Sequence, residues 1–416
     1  MVSKAKLLLI PCSGEETAEL AKDIADVLRV DLNLGDQVEI LFSHIADDIE
    51  KGTPKDNRHP LVCDFFADSE AQVDIGRNDL KDVIRGRDVF LVEHLLTPDR
   101  RIFENSDQTV HVNDHIALAR GILDVINNPT NNVEPLQTTL IAPYITYVRS
   151  HSVDWYTEQG FYQANTLQGF IRDFVSSGLN RLITIDPHSE RVAEIAQKNG
   201  LNYHPVNPFQ SGRSINPYKL GLSSNAARKV MNNLRPFHDR FIKLREELKE
   251  EDKEHLYVVS VDDGTEKRVE NFAERCFQDL PPEEVYQRVI YFDKKRESYD
   301  GTKSKIKHFS QINENNIDKQ GTYIIIDDMY ASGGTAQKIA EYLKRNGAKR
   351  VEVWTSHAVT MPQQYEKGNN REYIDRLVCL DTIPHGSKLN AEYVKASAYL
   401  LAAEVYKAHQ KMMSSR

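Results

Sequence analysis

Two adjacent carboxylates, Asp327 and Asp328, stand where a predicted strand ends and a glycine-bearing loop begins. The segment Tyr323–Thr335 has the sequence Y-I-I-I-D-D-M-Y-A-S-G-G-T, and its β-branched run is typical of a strand buried on both faces. A loop that leads into a helix N-terminus offers main-chain N–H groups and a positive dipole end to a phosphate. Because paired acids can bind sugar hydroxyls, the segment indicates a sugar phosphate site. An ordinary strand–turn–helix with two exposed acids is the alternative.

A pair of cations, Lys294 and Arg296, forms a second candidate in the sequence F-D-K-K-R-E (Phe292–Glu297), just past another predicted strand. In extended backbone, residues i and i+2 point to the same side. Two like charges held side by side repel each other unless an anion lies between them. The pair therefore suits a polyphosphate, whose charge it could balance. A solvated Lys-Lys-Arg cluster is the alternative.

Alternating strands and helices would position these residues, and that alternation indicates stacked βαβ units with a mostly parallel sheet. Ligands bind at the carboxyl ends of strands in such sheets. The predicted buried strands are Leu7–Ile10, Val89–Val92, Thr138–Ala142, Arg181–Ile185, Leu256–Val261, Val289–Phe292, Tyr323–Ile326 and Val351–Thr355. The predicted helices are Glu15–Val30, His115–Asn127, Thr166–Ser177, Glu190–Lys198, Glu266–Phe277, Ala336–Gly347 and Ala391–Met412.

The chain of 416 residues is too long for one typical core, so we expect two domains, 1–205 and 206–416. Residues 21–28 (A-K-D-I-A-D-V-L) and 336–343 (A-Q-K-I-A-E-Y-L) are alike at four of eight positions. This similarity is compatible with a duplicated domain, or with amphipathic helices that converge on the same apolar spacing. The C-terminal helix could pack back on the first domain.

An additional segment, 207–255, lies next to the expected boundary. Phe237, Phe241, Leu244 and Leu248 are spaced along one face of a helix. The charged run Arg245–His255 that follows is typical of a solvated helix face.

Composition narrows the class of protein. Apolar content of 40% with interspersed charges is typical of a soluble globular protein, and a net charge of −9 argues against a general nucleic-acid binder. The four cysteines show no metal-binding or redox spacing, which suggests reduced thiols and a cytoplasmic location. The short apolar run near Met1 predicts a strand instead of a signal peptide, and no stretch is long enough to span a membrane.

Six segments together resemble the ribose-phosphate diphosphokinase (phosphoribosyl-diphosphate synthetase) family. Tyr323–Thr335 resembles the phosphoribosyl-binding loop that this family shares with phosphoribosyltransferases, and Phe292–Glu297 resembles its catalytic flexible loop. The others, in family order, are F-A-D-S-E (Phe66–Glu70), I-A-P-Y-I-T-Y-V-R (Ile141–Arg149), I-T-I-D-P-H-S-E (Ile183–Glu190) and V-S-V-D-D-G-T-E-K-R (Val259–Arg268). The resemblance covers nearly the whole chain and implies an α/β fold with two similar phosphoribosyltransferase-like domains, each a mostly parallel sheet flanked by helices.

Two of these matches, Phe66–Glu70 and Ile141–Arg149, imply a nucleotide site. The resemblance assigns Phe66, Asp68 and Glu70 to the adenine of ATP, often across a subunit interface, and Arg149 to the nucleotide. An aromatic face can stack on a base, and a guanidinium can bind phosphate oxygens with two N–H groups. Phe66–Glu70 could equally be an ordinary loop. Residues Ser150–Trp155 depart from the family's Gln-Asp-Lys/Arg continuation, which limits what can be transferred beyond Arg149.

The reaction centre is implied by three matches. The resemblance makes His188 and Asp262 candidates to place a catalytic Mg²⁺, and makes Lys294, Arg296 and His188 the catalytic residues. A lone histidine at a strand end is more often structural than a metal ligand. Lys267 and Arg268, which open a helix after Asp262, could be surface charges or structural partners.

The sugar site is implied by the phosphoribosyl loop. In addition to Asp327 and Asp328 for the ribose hydroxyls, the residues expected to bind ribose 5-phosphate are Ser332, Gly333, Gly334 and Thr335. Ala331 departs from the second acid that diphosphokinases often carry in the loop, so sugar recognition could differ slightly.

The activity implied by the resemblance is transfer of the β,γ-diphosphoryl group of ATP to C1 of ribose 5-phosphate, giving 5-phosphoribosyl 1-diphosphate and AMP. The expected partners are ATP, ribose 5-phosphate, Mg²⁺ and further copies of the chain, as a dimer or hexamer, with neither nucleic acid nor membrane. Two alternatives are a non-catalytic regulatory homologue that binds nucleotide, and a phosphoribosyltransferase that consumes the activated sugar. The second would not need the N-terminal half.

Overall fold

The computed structural model describes residues 6–44, 61–66, 68–75, 83–102, 108–149, 158, 160, 162, 164–210, 222–262, 264–299, 304–311, 317–385 and 388–415. The strands are β1 Leu7–Pro11, β2 Val38–Ile40, β3 Ser43–His44, β4 Leu61–Phe65, β5 Ala71–Ile75, β6 Asp88–Val92, β7 Gln137–Ile141, β8 Arg181–Ile185, β9 Asn202–Val206, β10 Leu256–Ser260, β11 Val289–Tyr299, β12 Ser304–Gln311, β13 Thr322–Tyr330, β14 Arg350–Ala358, β15 Arg376–Leu380 and β16 Glu392–Val394. The α-helices are α1 Gly14–Asp26, α2 Val112–Asn127, α3 Thr166–Ser176, α4 Arg191–Lys198, α5 Ser224–Asn233, α6 Pro236–Glu247, α7 Glu266–Cys276, α8 Pro282–Gln287, α9 Gly334–Arg345, α10 Tyr365–Asn369 and α11 Ser397–Ser414.

Two large sheets with the same pattern of connections organise the chain. The first has the order β2-β1-β6-β7-β8-β9 with all strands parallel. The second has the order β12-β11-β10-β13-β14-β15-β16, parallel except for β12, which pairs antiparallel with β11. A small third sheet joins β3, β4 and β5. The predicted α/β class with two mostly parallel sheets is confirmed.

Strand β13 is buried on both faces, as its apolar run predicts. Ile324 and Ile326 lie in a core that is shared by the two halves of the chain and by α11. Tyr323 and Ile325 alternate with them and lie in a separate core under α9. The strand continues to Tyr330, beyond the predicted end at Ile326, so Asp327 and Asp328 lie within it and are positioned by a strand that is held from both sides.

Residues 21–28 and 336–343, which are similar in sequence, do not occupy equivalent places in the two halves of the chain. By strand order, β13 occupies the place in its sheet that β6 occupies in the other, whereas the equivalent of β1 is β10. Since residues 21–28 follow β1 and residues 336–343 follow β13, the match reflects the shared apolar spacing of helices on parallel sheets. The two sheets themselves do repeat.

The start of the predicted helix Ala391–Met412 is wrong. The chain forms β16 first, and α11 begins at Ser397. Asp381 Oδ1 accepts hydrogen bonds from the main-chain N–H groups of Ala396 (3.0 Å) and Ser397 (2.9 Å), so a distant side chain sets the helix start.

Helix α11 belongs to the second half in sequence but packs on the first sheet. His409 Nδ1 lies 2.9 Å from Asp88 Oδ2, and Arg181 donates to the main-chain oxygen of Ala408 (3.2 Å) and to Asp88. Asp88, Arg181 and His409 are almost fully buried. The division at residues 205 and 206 stays a prediction, but α11 links the two halves.

The additional segment 207–255 packs on both halves of the chain where it is described: α6 lies against the second sheet through Phe237 and Trp354, and α5 lies near Asp31 through Lys229. Phe237, Phe241 and Leu244 are fully buried on α6, as their spacing predicts. The charged run after them is only partly solvated, because Asp252 is buried and lies 2.6 Å from Lys349 Nζ. No helix in the described ranges is long and apolar enough to cross a membrane.

Candidate active site

A cavity of about 1400 Å³ opens where the carboxyl ends of β8, β10 and β13 face one another. This is where ligands bind in open α/β sheets. Nine of the residues predicted from sequence line it, from both halves of the chain: Arg149, His188, Asp262, Asp327, Asp328, Ser332, Gly333, Gly334 and Thr335. Ala331, which departs from the family pattern, lines it too.

The loop after β13 has the geometry of an anion site. Gly333 lies in the left-handed region with φ +71°, and α9 begins at the next residue. A Cβ on Gly333 would collide with the ring of Tyr330, whose hydroxyl donates to the main-chain oxygen of Gly368 at 3.0 Å. Only glycine can adopt this positive φ without strain and also leave room for the Tyr330 ring. The loop thus turns tightly and directs the N-terminus of α9 into the cavity.

The two acids of β13 differ in charge state. Burial and the neighbouring Asp328 raise the pKa of Asp327 well above its ordinary value. Burial would raise the pKa of Asp328 as well, but the hydrogen bond and charge of His188, with Arg268, hold it well below its ordinary range. The proton of the pair therefore favours Asp327 and the negative charge favours Asp328. Such a pair can donate to one sugar hydroxyl and accept from another.

A polar contact between His188 and Asp328 joins the two halves across the cavity. His188 Nδ1, just past β8, lies 2.8 Å from Asp328 Oδ2 at the end of β13. Histidine that binds a metal usually has its other ring nitrogen hydrogen-bonded to a carboxylate, and this contact supplies one.

Asp262 adds an oxygen donor that suits a hard cation such as Mg²⁺, which is commonly held by one or two protein groups together with substrate phosphates. The donor set of His188 and Asp262 fits that pattern. Within the described ranges, no group of three or more His, Cys, Asp or Glu side chains could hold a metal ion alone.

Four acids surround Arg268. From the sequence this residue could be either a surface charge or a structural partner, and the structure shows the second. Its Nη2 donates to Asp186 Oδ1 at 2.8 Å. Although burial opposes its charge, the carboxylates of Asp186, Asp328, Asp327 and Asp262 raise its pKa. A fixed guanidinium thus partly balances the acids of the cavity.

Three predicted nucleotide residues lie outside the described cavity lining. Phe66, Asp68 and Glu70 are exposed where β4 turns into β5, and Phe66 is 49% accessible. An exposed aromatic ring suits a contact with a ligand or a second subunit. Their role in binding adenine stays a prediction.

The cation pair is only partly described. Lys294 and Arg296 lie in β11, which forms a long antiparallel hairpin with β12, but their side chains lie outside the described part of the chain. The pairing register shifts between Lys295 and Arg296. Because a register shift interrupts strict alternation, the predicted same-side placement stays open. The departure Ser150–Trp155 lies outside the described residues.

Two residues that shape the cavity, Tyr203 and Asn207, have no signal in the sequence analysis. Asp186, the acid of the segment I-T-I-D-P-H-S-E, lines the cavity too, and Ser356 and His357 lie directly behind it. Ser356 and His357 belong to the segment T-S-H-A (Thr355–Ala358), which also resembles the diphosphokinase pattern, but the sequence assigns them no role.

Comparison with known proteins agrees with this architecture. The family model described as "Phosphoribosyl transferase domain" matches residues 233–383. A ribose-phosphate pyrophosphokinase of Prochlorococcus marinus (strain CCMP1986 / NIES-2087 / MED4) is 26% identical over 85% of this chain and 84% of its own length. Another from Pasteurella multocida is 25% identical over 91% of this chain and 88% of its own length. The chain therefore carries a phosphoribosyl transferase domain in its second half and is similar over most of its length to ribose-phosphate pyrophosphokinases.

A solved structure shares the fold of the whole chain. The crystal structure of phosphoribosylpyrophosphate synthetase from Mycobacterium smegmatis matches with a TM-score of 0.63, covering 98% of this chain and 99% of that one at 16% identity. The match spans both large sheets and confirms the predicted fold.

Proposed function

We propose that the chain is a ribose-phosphate diphosphokinase, which transfers the β,γ-diphosphoryl group of ATP to C1 of ribose 5-phosphate and yields 5-phosphoribosyl 1-diphosphate and AMP. One observation carries the proposal most strongly. The acids and glycine loop of the second half share a cavity with His188 and Arg149 of the first half. A site for two substrates at a junction between halves suits group transfer between them.

The sugar would bind at β13 and its loop. Asp328 would accept a hydrogen bond from one ribose hydroxyl, while protonated Asp327 could donate to another. The 5-phosphate would lie against the N–H groups of Ser332–Thr335 at the positive end of α9. This orientation leaves C1 directed towards the half that carries Arg149 and His188.

ATP would bind at the side of the first half. Arg149 would contact its phosphates or base, and Phe66, Asp68 and Glu70 would bind adenine, supplied within one chain or by a second copy in a homo-oligomer. His188 and Asp262 would hold Mg²⁺, which when bound neutralises polyphosphate charge. The C1 hydroxyl would then attack the β-phosphorus in line, forming the C1–O–P bond and releasing its proton. The bond from the β-phosphorus to the α,β-bridging oxygen would break, so that AMP leaves with this oxygen, and no covalent enzyme intermediate is needed. We place the reaction in the cytoplasm.

The alternatives differ from this proposal in the use of the first half. A phosphoribosyltransferase would need only the sugar loop, whereas Arg149 and His188 of the first half line the same cavity. A regulatory homologue would bind ATP without turning it over. The substrates separate these possibilities directly.

The direct test is to incubate the full chain with ATP, Mg²⁺ and ribose 5-phosphate and to follow AMP and 5-phosphoribosyl 1-diphosphate by ³¹P NMR. We expect both products in equal amounts, and none when ribose 5-phosphate is left out. ATP binding without AMP formation at any Mg²⁺ or phosphate concentration would instead support the regulatory homologue.

A prediction for the cation pair follows from its assigned part in catalysis. Lys294→Ala and Arg296→Ala should each lower kcat by roughly 10- to 100-fold, because each removes one charge that stabilises the transferring diphosphoryl group. Titration calorimetry should show that ATP still binds. Lys305→Ala, in the facing strand β12, is the matched loss of a cation from the same hairpin. If all three variants turned over equally, the clamp would be misassigned.

A further inference from the structure

The backbone at Asp186 has a conformation that the sequence does not favour. Its φ is +38°, in the left-handed region that is uncommon for residues other than glycine. It also precedes Pro187, and a residue before proline is normally pushed towards extended backbone. Such conformations persist only where the surroundings impose them, and they concentrate at functional sites. Two residues later the chain presents His188 to the cavity.

Both carboxylate oxygens of Asp186 are held by the second half of the chain. Arg268 Nη2 donates to Oδ1 at 2.8 Å, and the Ser356 hydroxyl donates to Oδ2. Asp186 is 1% exposed and Ser356 is fully buried. Asp186 therefore links the two halves of the chain, and both of its carboxylate oxygens bind protein groups.

The main chain beside Asp186 is held as well. His357 Nε2 donates to the carbonyl oxygens of Ile185 (3.0 Å) and Asp186 (3.1 Å), and its Nδ1 lies 2.8 Å from Thr382 Oγ1. Carbonyl oxygens can only accept, so Nε2 carries a proton. Burial lowers the pKa of His357. Its 2% exposure leaves the ring little room to move. Side chain and main chain of Asp186 are thus both bound by β14.

We propose that Ser356 and His357, together with Arg268, are positioning residues for the reaction. They hold Asp186 in its left-handed conformation and thereby direct His188 across the cavity to Asp328, 2.8 Å away. The inference rests on the proposed function, since it assigns them a part in catalysis through His188. It gives Ser356 and His357 a part in the reaction without contact to either substrate.

Two adjacent residues of β14 supply a matched test. Ser356→Ala removes the hydroxyl that binds Asp186. Thr355→Val removes the neighbouring buried hydroxyl, which has no hydrogen-bond partner among the described residues, and keeps the side chain's shape. We expect Ser356→Ala to lower kcat roughly tenfold with little change in the KM for ribose 5-phosphate, because misplaced catalytic groups cost rate. Thr355→Val should keep the wild-type kcat.

Replacing Asp186 itself separates positioning from general stability. Asn tolerates positive φ and can still accept from Ser356, so Asp186→Asn should retain more kcat than Asp186→Ala. Crystal structures supply the second readout. In Ser356→Ala and Asp186→Ala, the distance from His188 Nδ1 to Asp328 Oδ2 should exceed about 3.5 Å, while Thr355→Val keeps it.

The outcomes also distinguish this inference from the proposed function. If the wild-type chain makes no AMP, the proposed function fails, and the crystal structures still decide whether β14 sets the His188 geometry. If the wild type is active and Ser356→Ala matches Thr355→Val in kcat and in the His188–Asp328 distance, the positioning role is overturned. A loss of thermal stability in Ser356→Ala with unchanged kcat would also overturn it.

Discussion

Gly333→Ala is expected to raise the KM for ribose 5-phosphate by roughly 100- to 1,000-fold. A side chain at φ +71° costs about 1–2 kcal/mol. The new Cβ would also meet the ring of Tyr330, and forced overpacking of this kind costs about 1–3 kcal/mol. Together these penalties oppose the one loop conformation that directs the N–H groups of Ser332–Thr335 at the 5-phosphate.

Tyr330 cannot easily move away from the added methyl group. It is 2% exposed, lies in the core under α9, and its hydroxyl donates to the main-chain oxygen of Gly368. The loop must therefore change instead of the ring. Because α9 begins at Gly334, the change would redirect the positive helix end that the phosphate uses.

The adjacent glycine provides the control. Gly334 has no positive φ, and a Cβ there would have only Ser332 Oγ, at 3.9 Å, within 4 Å. Gly334→Ala keeps the main-chain N–H, so we expect less than about a tenfold rise in KM, the equivalent of one weakened hydrogen bond. Steady-state kinetics and calorimetry with ribose 5-phosphate measure both variants. Equal effects of the two substitutions would mean that the phosphate does not lie on this loop.

The sequence carries enough information to predict the elements that hold the sugar loop. The run Tyr323–Ile326 predicted a strand buried on both faces, and its side chains alternate between two cores in the structure. The apolar spacing after it predicted α9, which begins two residues earlier than expected, at Gly334. These signals are local, since strand burial and helix amphipathicity are written in neighbouring residues.

Contacts between the two halves could not be predicted in the same way. The pairing of His188 with Asp328 spans 140 residues, and no local pattern records which strand ends face one another. Asp186 is a sharper case, because its position before Pro187 predicts extended backbone. Its observed φ of +38° depends on Arg268, Ser356 and His357, all from the other half of the chain.

Edge strands were missed for a related reason. Strand β9 has the sequence N-Y-H-P-V, with a proline and mostly half-exposed or exposed side chains, so it lacks a clear apolar pattern. Proline is confined largely to sheet edges, where an unpaired side of the strand tolerates the missing N–H. Strand β16 has only three residues and was absorbed into a predicted helix. Both strands form by pairing with a neighbouring strand of the sheet, and that pairing is not visible in their own sequence.

The acid pair gives the second prediction of large effect, because its two members hold different charges. Burial and Asp328 raise the pKa of Asp327, while the hydrogen bond and charge of His188, with Arg268, outweigh burial and lower the pKa of Asp328, so the proton of the pair favours Asp327. An amide resembles a protonated carboxyl in shape and in its ability to donate, but not an ionised one. The same substitution at adjacent positions should therefore have unequal effects.

Stability should change in opposite directions. A carboxyl whose pKa is raised by folding stabilises the protein only below its unfolded pKa, and this contribution is lost as the pH rises towards the folded pKa. Asp327→Asn removes that loss, so the Tm of the ligand-free chain should increase at pH 7 and approach the wild-type value as the pH falls towards about 4. Asp328, whose pKa is depressed, stabilises the fold above its unfolded pKa. Asp328→Asn should therefore lower the Tm at pH 7.

Activity should show the larger asymmetry. Asp328→Asn removes the charge that accepts a ribose hydroxyl and leaves His188 without its carboxylate, so kcat/KM for ribose 5-phosphate should fall by roughly 1,000-fold, about 4 kcal/mol for two charge-assisted hydrogen bonds. Asp327→Asn keeps a neutral donor and should cost only about tenfold, near the value of one neutral hydrogen bond. Steady-state AMP formation and thermal scans on both variants decide the matter. If Asp327→Asn were the more damaging variant and also lowered the Tm at pH 7, Asp327 would be the ionised member of the pair, and the sugar hydroxyls would have to bind with the two roles exchanged.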